Sequence, residues 1–457
     1  MAKKAKKIDT ANGSGFERVN PNAAGIDISN TEMQVCVPKD RDENNNRTFG
    51  VYTQDLRDIA EWLIECGIDT VAMESTGVYW LGIYKILQEY KIDVVLSDAA
   101  SVKFYRERKT DVSDAEWLQH LHAHGLVKPC HQLENASREV RNLYRHRKSL
   151  VDRSTLASNH IHKALTQMNI KLGVAIRDLH GKTGTAILEA ILAGERNPQK
   201  LAALANPRCK KSKEEIAKSL DGDWNDSLLY IVRDEYEDHK RTQERIAECD
   251  RQIEILLTEM LAKSNKVADE SELDRSKKKQ SNTTAKVTFD IERLCYLLWG
   301  VNPMRIPGFS TGTILGLLSE LVPHFILQFE TCEQFCSWCR LVPNTRISGG
   351  KPLSSHLPNR FNQVGQIFRN AAAALYASKE HLGNYYRRIK AKSGPAKAHV
   401  ATAHKLAKIF YKMLKDKVEY DPNKVGPSEH EILVYQYHKE LQKIESLKQR
   451  ILKISAA

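Results

Sequence analysis

Long apolar runs are scarce in this chain of 457 residues. The most apolar stretch, Ile314 to Phe329, is interrupted by Glu320 and Pro323 before it is long enough to span a bilayer. The basic N-terminal residues are not followed by the apolar segment of a secretory signal. The sequence therefore argues against a membrane-spanning or secreted protein, and we expect one that acts in the cytoplasm.

Cysteine is also used sparingly. The nine cysteines are an odd number without the spacing of a disulfide framework, which fits reduced thiols. Cys332, Cys336 and Cys339 repeat at helical spacing, but no fourth ligand follows at the spacing of a zinc site. We expect these three side chains to pack in a core.

Positive charge, in contrast, is in excess, because 69 Lys and Arg residues face 57 Asp and Glu residues. Residues 346–412 hold 13 of the basic residues and a single acid, Glu380, so this segment alone carries a net charge of +12. A predicted long helix, Ser137 to Gln167, is a second basic segment, with Arg138, Arg141, Arg145, Arg147, Lys148, Arg153 and Lys163. We expect both segments to bind the phosphates of nucleic acid, and Arg346, Lys351 and Arg360 are candidates in the first.

The hydrophobic pattern divides the chain into regions. Strand and helix signals alternate over residues 23–130, beginning with a hairpin, which predicts an α/β domain with a mixed sheet. Helical patterns dominate the remainder. The predicted regions are a basic tail (1–22), the α/β domain (23–130), a basic helical region (131–225), a long helix (226–263), a flexible linker (264–286), a helical domain (287–413) and a helical extension (414–457).

Two of the predicted helices carry apolar stripes. In the long helix, nine positions from Val232 to Met260 follow steps of four and three residues, and six of them are apolar. This spacing fits a coiled coil, but it fits a helix packed on its own domain equally well. The stripe of the last helix, Glu429 to Ile454, favours packing or oligomerisation.

Four acidic residues lie where the pattern places strands and a helix start. Asp27 lies within the first strand, where a lone charge is costly to bury. Glu74 ends a later strand, and Asp111 and Asp114 are one helical turn apart. Acids are common at such places as caps and turn formers. If the four converge, however, Mg²⁺ or Mn²⁺ would relieve their repulsion, and two such ions would clamp the oxygens of a reacting phosphodiester.

The sequence around these acids resembles a known family. Gly-Ile-Asp27, Met-Glu74-Ser-Thr-Gly and Lys-Thr-Asp111-x-x-Asp114-Ala are similar to the DEDD motif of insertion-sequence transposases related to the Piv invertase. The similarity resumes in Ile-Pro307-Gly308-Phe-Ser and in Leu-Val-Pro343 followed by Ser348-Gly349-Gly350-Lys351, and it covers roughly Ala23 to Met413. Two residues depart from the family pattern: Arg340 stands where a glycine is usual, and Ile347 stands where a small polar residue is frequent.

The resemblance implies a fold and a set of partners. The N-terminal domain would be RuvC-like, of the ribonuclease-H fold, with Mg²⁺ (or Mn²⁺) held by the four acids, and a mostly helical transposase domain would follow. The partners would be donor and target DNA, a structured bridge RNA that pairs with both, and further copies of the chain in a dimer or tetramer. Because no sequence-reading DNA module is evident, readout by RNA base pairing fits the chain.

A serine beside two glycines is the second candidate site. Ser348-Gly349-Gly350-Lys351 follows a turn signal, and we expect a loop whose backbone approaches a phosphate, although an ordinary glycine turn on a basic surface accounts for the motif as well. The resemblance implies that Ser348 attacks DNA and forms a phosphoserine bond, in a site shared between subunits. Gly308 lies in a segment that resembles a helix–hairpin–helix turn, whose backbone amides hold a phosphate.

The interpretation is an RNA-guided DNA transposase or recombinase that excises and integrates an insertion sequence. Two other functions stay open at this point. One is a RuvC-like, metal-dependent DNA junction nuclease in which water attacks and Ser348 only contacts a phosphate. The other is a nucleic-acid-binding scaffold without catalysis.

Overall fold

The computed structural model describes residues 18–75, 77–97, 113–129, 135–264, 268–277, 285–358, 361–426, 433–434, 437–438 and 440–448. Asp111 and Arg360, the basic tail up to residue 17 and the last nine residues lie outside this part of the chain. The chain divides into two compact units between Leu133 and Glu134. Within the described residues, no helix combines the length and the apolar character needed to cross a membrane.

The first unit is built on a mixed sheet, which confirms the predicted α/β pattern. Its described strands are β1 (Ala23–Ile28), β2 (Met33–Cys36), β3 (Asn46–Phe49), β4 (Thr70–Glu74) and β5 (Asp93–Ser97), and its described helices are α1 (Thr53–Glu65), α2 (Trp80–Glu89) and α3 (Asp114–Ala123). The strand order is β3-β2-β1-β4-β5. The β1–β2 and β2–β3 pairs are antiparallel, whereas β1–β4 and β4–β5 are parallel.

The two faces of this sheet are covered differently. Ile26 and Met73 point into the apolar core that the sheet forms with α1 and α2. On the opposite face α3 crosses β1 at Gly25, where a Cβ atom would lie 2.3 Å from the carbonyl oxygen of Ala115. Only glycine allows this close approach, so Gly25 fixes the position of α3 on the sheet.

The second unit is mostly helical. Its described helices are α4 (Asn135–Gln167), α5 (Leu172–Ala175), α6 (Lys182–Leu192), α7 (Pro198–Ala203), α8 (Lys213–Ser219), α9 (Asp226–Ala262), α10 (Ile291–Trp299), α11 (Thr311–Phe325), α12 (Cys332–Trp338), α13 (Gln363–Ala374), α14 (His381–Ser393) and α15 (Pro395–Asp416). One hairpin interrupts this helical pattern, formed by β6 (Asn344–Ser348) and β7 (Lys351–His356). The sequence predicts a loop at Ser348 within this helical domain, and the structure shows a two-stranded hairpin there.

The long helices α4 and α9 pack antiparallel within the chain. Arg147 of α4 pairs with Asp250 of α9, whereas His160, further along α4, pairs with Glu235, which is earlier in α9. The apolar stripe of α9 is buried in this arrangement. Of the two alternatives that the stripe left open, the structure shows the helix packed on its own chain, and it gives no support for the coiled coil.

One core joins regions that the sequence analysis had separated. Val140 and Tyr144 of α4 and Ile253 of α9 belong to the same apolar cluster as the helices from α10 to α15. The predicted boundaries at 225, 263, 286 and 413 therefore fall inside the second unit. The reason is that the two long helices each contribute one end to the core of the C-terminal helices.

The segment predicted as a flexible linker is anchored where it is described. Arg275 forms an ion pair with Asp290, and Glu270 forms one with Arg293. The side-chain amide of Asn302 donates a hydrogen bond of 2.8 Å to the carbonyl oxygen of Asp274. Within the described residues 268–277, charged residues that look solvated in the sequence therefore find partners near the start of α10.

A buried ion pair holds α4 and α9 to the start of the C-terminal helices. The side chains of Arg147 and Asp250 are 4% and 0% exposed. Arg147 also donates to the carbonyl oxygens of Ala285 and Lys286, and Asp250 accepts from the amide and the hydroxyl group of Thr288. The guanidinium is thus buried against Asp250 and two backbone carbonyl groups, which leaves it no surface for nucleic acid and corrects the prediction for Arg147.

A stacked pair of histidines lies nearer the other end of the two long helices. The rings of His180 and His239 are 3.6 Å apart, with an angle of 16° between their planes. His239 contacts the hydroxyl of Ser154 at 3.0 Å, and His180 contacts that of Ser158 at 2.9 Å. Burial, and the charge that His239 would add, lower the pKa of His180 to about 4, and burial also lowers the pKa of His239.

The ion pair generates the first prediction. Replacing Asp250 with Ala should lower the free energy of unfolding by about 3–5 kcal/mol, because Arg147 would be left buried without a counter-charge. Urea denaturation followed by circular dichroism measures this loss. The control is Arg153→Met on the exposed side of α4, the helix that carries Arg147, which should change the free energy by less than about 0.5 kcal/mol. Equal losses in the two variants would contradict the assignment.

The histidine pair generates the second prediction. The folded protein lowers the pKa of both rings, whereas in the unfolded chain they titrate near their ordinary pKa of about 6.5. Since the unfolded state binds more protons below that pH, stability should fall as the pH decreases from about 6.5 towards 4. The melting temperature should fall less over this range in His239→Gln than in the wild type. The exposed His438→Gln control should keep the wild-type slope, and identical slopes in all three proteins would exclude a role for the stacked pair.

Candidate active site

The sheet register brings two of the predicted acids together. In the parallel pair of β1 and β4, Ile26 lies opposite Met73. Asp27 and Glu74 are the next residues in each strand, so they occupy neighbouring positions at the same end of the sheet. Because side chains alternate along a strand, both point to the face opposite the core side chains of Ile26 and Met73. Both residues are partly exposed.

Helix α3 directs Asp114 towards the same place. The side-chain amide of Gln119 donates to the carbonyl oxygen of Ala23, and Ala115 lies over Gly25. The helix therefore runs antiparallel to β1. The N-terminus of α3, which begins at Asp114, points towards the end of β1 that carries the aspartate.

The start of α3 is fixed by a capping network. The hydroxyl oxygen of Ser113 accepts a hydrogen bond of 3.1 Å from the amide of Glu116, as an N-cap serine does. The same oxygen accepts a hydrogen bond of 2.9 Å from the side-chain amide of Asn46 in β3. The sheet thus holds the first turn of the helix, and with it Asp114, in a defined position.

A divalent metal ion needs several oxygen ligands within bonding distance. Asp27, Glu74 and Asp114 offer carboxylate oxygens, the donors that Mg²⁺ and Mn²⁺ prefer. Among the residues that the structure describes, no group of three or more His, Cys, Asp or Glu side chains is close enough to form a complete metal site. Asp111, the fourth predicted ligand, lies outside the described residues. The donor chemistry of the three acids fits a divalent ion, and the binding of one by these residues stays a prediction.

Ser348 lies at the turn of the β6–β7 hairpin rather than in an irregular loop. It pairs with Lys351, so that Gly349 and Gly350 form the two-residue connection. The φ angles of these glycines are +56° and +76°, which is the left-handed backbone that such a tight hairpin turn requires. Among the described residues other than its chain neighbours, no atom lies within 4 Å of a Cβ built on either glycine. Ser348 is exposed beside this open turn.

One departure from the family pattern has a structural consequence. Arg340 follows the end of α12 with a φ angle of +57°. Its amide donates to the carbonyl oxygen of Ser337, and the amide of Leu341 donates to that of Cys336. These two hydrogen bonds are those of a helix C-terminus that usually ends in glycine, which explains why a glycine is usual at this position.

The predicted basic helix presents only part of its charge to solvent. Arg153 and Lys163 are exposed, and Lys148 and Arg138 are partly exposed. These residues stay predicted contacts for nucleic acid. Arg346 and Lys351 flank Ser348 and are exposed on the hairpin, whereas Arg360 is outside the described residues.

Glu320 is a residue whose importance the sequence analysis missed. Its side chain is 4% exposed and forms ion pairs with Arg141 and Arg145 of α4. Burial lowers the pKa of Arg141, and the charge of Glu320 opposes this. The two arginines therefore attach α4 to α11. The guanidinium of Arg141 is mostly enclosed, and that of Arg145 keeps an exposed side.

Gly308 has a packing role of its own. Its φ angle is +86°, and a Cβ atom there would lie 2.6 Å from the carbonyl oxygen of Ala371 in α13. The glycine allows the turn before α11 to lie directly against the end of α13. Phosphate binding by this turn stays a prediction.

Two family models match parts of this chain. Residues 24–170 match the family model of DEDD transposases of the IS110 type, described as a transposase, and residues 303–387 match the model described as the transposase IS116/IS110/IS902 family. The first match contains the strands and helix that carry the acids, the second contains Ser348, and together they cover just over half of the chain. A search of curated proteins found no match. On these two matches, the chain belongs to the IS110-type DEDD transposases and is a DNA transposase or recombinase.

Proposed function

We propose that this transposase excises and integrates an insertion sequence by attack of Ser348 on DNA, with metal held by the acids of the first unit and with target choice guided by RNA. The observation that carries the proposal is the alignment of Asp27 with Glu74 on the face that α3 crosses. We also assign the first unit to the RuvC-like ribonuclease-H fold. The order of its five described strands, three antiparallel and then two parallel, supports that assignment.

The four acids have one proposed role. Asp27, Glu74, Asp111 and Asp114 would hold Mg²⁺ or Mn²⁺ through their carboxylate oxygens. A bound divalent ion would polarise the scissile phosphate and offset the charge that develops on its oxygens. Close carboxylates repel one another, so an ion at this place would also stabilise the first unit.

Ser348 has the second role. Its Oγ forms a new ester bond with the scissile phosphorus, the hydroxyl proton leaves, and the bond from phosphorus to one sugar oxygen breaks. That sugar oxygen takes up a proton and leaves as a hydroxyl group, while the DNA end stays on the protein as a phosphoserine. Attack by the released hydroxyl of another strand reverses these changes and joins the two strands. The exposed Arg346 and Lys351 beside Ser348 would hold the phosphate during both steps.

RNA guidance and assembly complete the proposal. A structured bridge RNA would pair with donor and target DNA, and the basic residues of α4 and of 346–412 would hold its backbone. The protein would act as a dimer or tetramer. The described part of the last predicted helix supports assembly, because Leu433, Tyr437 and Leu447 of its apolar stripe are between 54% and 64% exposed.

The serine mechanism makes a third prediction. The wild-type protein with Mg²⁺ and its DNA should leave labelled DNA attached to the protein after denaturation, and Ser348→Ala should leave none because the attacking oxygen is gone. Asp27→Asn should reduce the attached DNA at least 100-fold, because it removes a charged metal ligand. Gel electrophoresis under denaturing conditions measures the adduct.

A matched control keeps this test specific. Ser355 is an exposed serine in the other strand of the same hairpin, and Ser355→Ala should form the adduct at the wild-type level. If Ser348→Ala cuts DNA as well as the wild type and no adduct forms in either protein, water is the nucleophile and the protein acts as a junction nuclease. If Asp27→Asn retains full recombination, the carboxylate assignment is wrong.

The RNA claim makes a fourth prediction. Sequencing of the RNA that copurifies with the full chain should recover one abundant structured species encoded beside the gene, because a guide must stay bound through target search. Changing its unpaired target-reading bases should redirect insertion to the matching DNA. Recovery of only a random sample of cellular RNA would contradict guidance and leave the serine chemistry untouched.

A further inference from the structure

A cluster of one tyrosine and two cations lies where α14 and α15 meet. The guanidinium carbon of Arg388 is 5.6 Å from the centre of the Tyr385 ring, and the ammonium nitrogen of Lys405 is 4.8 Å from it. Arg388 is one helical turn after Tyr385 in α14, whereas Lys405 belongs to α15. The packing of the two helices therefore brings two positive charges to the same ring.

Neither cation is neutralised within the part of the chain that the structure describes. No ion pair joins Arg388 or Lys405 to a carboxylate there. Lys408, one turn after Lys405 in α15, does form an ion pair, with Glu333. Burial lowers the pKa of Lys405, and the charge of Arg388 lowers it further. Two like charges without an acid are unfavourable in a partly buried place, and an anion between them would remove the repulsion.

A second contact between a cation and a tyrosine ring involves Lys390 of α14 and Tyr376, which precedes that helix. The ammonium group of Lys390 is 4.3 Å from the centre of the Tyr376 ring, and that ring is 53% exposed. The rings of Tyr376 and Tyr386 meet edge to face, with 6.0 Å between their centres. The exposed surface of this helix thus combines cations with aromatic rings twice, a combination typical of surfaces that bind unpaired nucleotides.

We propose that Tyr385, Arg388 and Lys405 form a binding site for an unpaired nucleotide of a nucleic-acid strand. The phosphate lies between the two cations, and the base stacks on the exposed plane of Arg388, whose guanidinium is supported by Tyr385. A base in a duplex is covered by its neighbours, so the site prefers single strands. The inference rests on the proposed handling of RNA and DNA strands. Arg388 and Lys405 lie beyond the segment 303–387 that matches the family model.

The test separates two contributions of Arg388 to binding: the planar surface of its guanidinium group and its positive charge. Arg388→Lys keeps one positive charge but removes the planar group on which a base stacks. The probes are a labelled 20-nucleotide oligo(dT), an oligo(U) of the same length and a blunt DNA duplex, and full-length protein is titrated in the absence of divalent metal. Arg388→Lys should weaken binding of the single strands about tenfold or more and that of the duplex less than twofold. The stronger of the two single-strand arms identifies whether DNA or RNA occupies the site.

Lys405 tests the phosphate contact. Lys405→Gln should reduce the slope of log affinity against log salt by about 0.7 for a single strand, the value for one lost phosphate contact. The matched control is Lys392→Gln, an exposed cation of α14 without an aromatic contact among the described residues, which should affect single strands and duplex alike. The melting temperatures of Arg388→Lys and Lys392→Gln should stay within a few degrees of the wild type, since both residues are exposed, and the melting temperature of Lys405→Gln is measured beside them as a check on its folding.

The outcomes distinguish this site from the proposed function. If Arg388→Lys binds single strands as tightly as the wild type, or loses equal affinity for strand and duplex, there is no nucleotide-stacking site at Arg388. These titrations involve no cleavage and no guide. Loss of the DNA adduct in Ser348→Ala therefore bears on the chemistry alone, and the two proposals can fail independently.

Discussion

The placement of acidic side chains is the constraint on which the candidate site of the first unit depends. The register of β1 and β4 places Asp27 beside Glu74, and negative charges that lie close together are stabilised by positive charge nearby. Helix α3 supplies part of it, because its N-terminus points to the same end of the sheet and carries the positive end of the helix dipole. A divalent cation is the further positive charge that we propose for this site.

The second unit meets an analogous problem by pairing its buried charges. Arg147 is neutralised by Asp250, and Glu320 is neutralised by Arg141 and Arg145. Truncation of one partner in such a pair is costly, although the pair itself adds little to stability. What these pairs add is position: they fix α4 against α9 and α11, so that the remaining cations of α4 face outwards.

Much of this arrangement follows from periodicity. The alternating pattern predicts the hairpin of β1 and β2 and the strand that ends at Glu74, and the structure confirms both. The burial of Arg147 was also readable, because Arg147 continues the steps of four and three residues that begin at Val140 and Tyr144. The net charge of the helix gives no indication of this burial, because it does not depend on the spacing of the residues. The hairpin at Ser348 was missed for a similar reason, since a two-glycine connection is itself a hairpin signal.

Other features could not be predicted from one sequence. The contact of Arg388 and Lys405 with one ring needs two helices to meet at a particular angle, and only the Tyr385–Arg388 spacing within α14 hints at it. The anchoring of residues 268–277 likewise depends on partners at α10. In each case local spacing is compatible with several tertiary partners, and packing selects among them.

The central claim is that a serine oxygen of this chain becomes bonded to DNA phosphorus. Mass spectrometry of the protein–DNA adduct, after nuclease and protease digestion, tests it most directly. The account predicts one modified peptide that spans the turn at Ser348 and carries a nucleotide phosphate on that residue. A nucleotide on any other residue, or no modified peptide under conditions in which the DNA is cut, would contradict it.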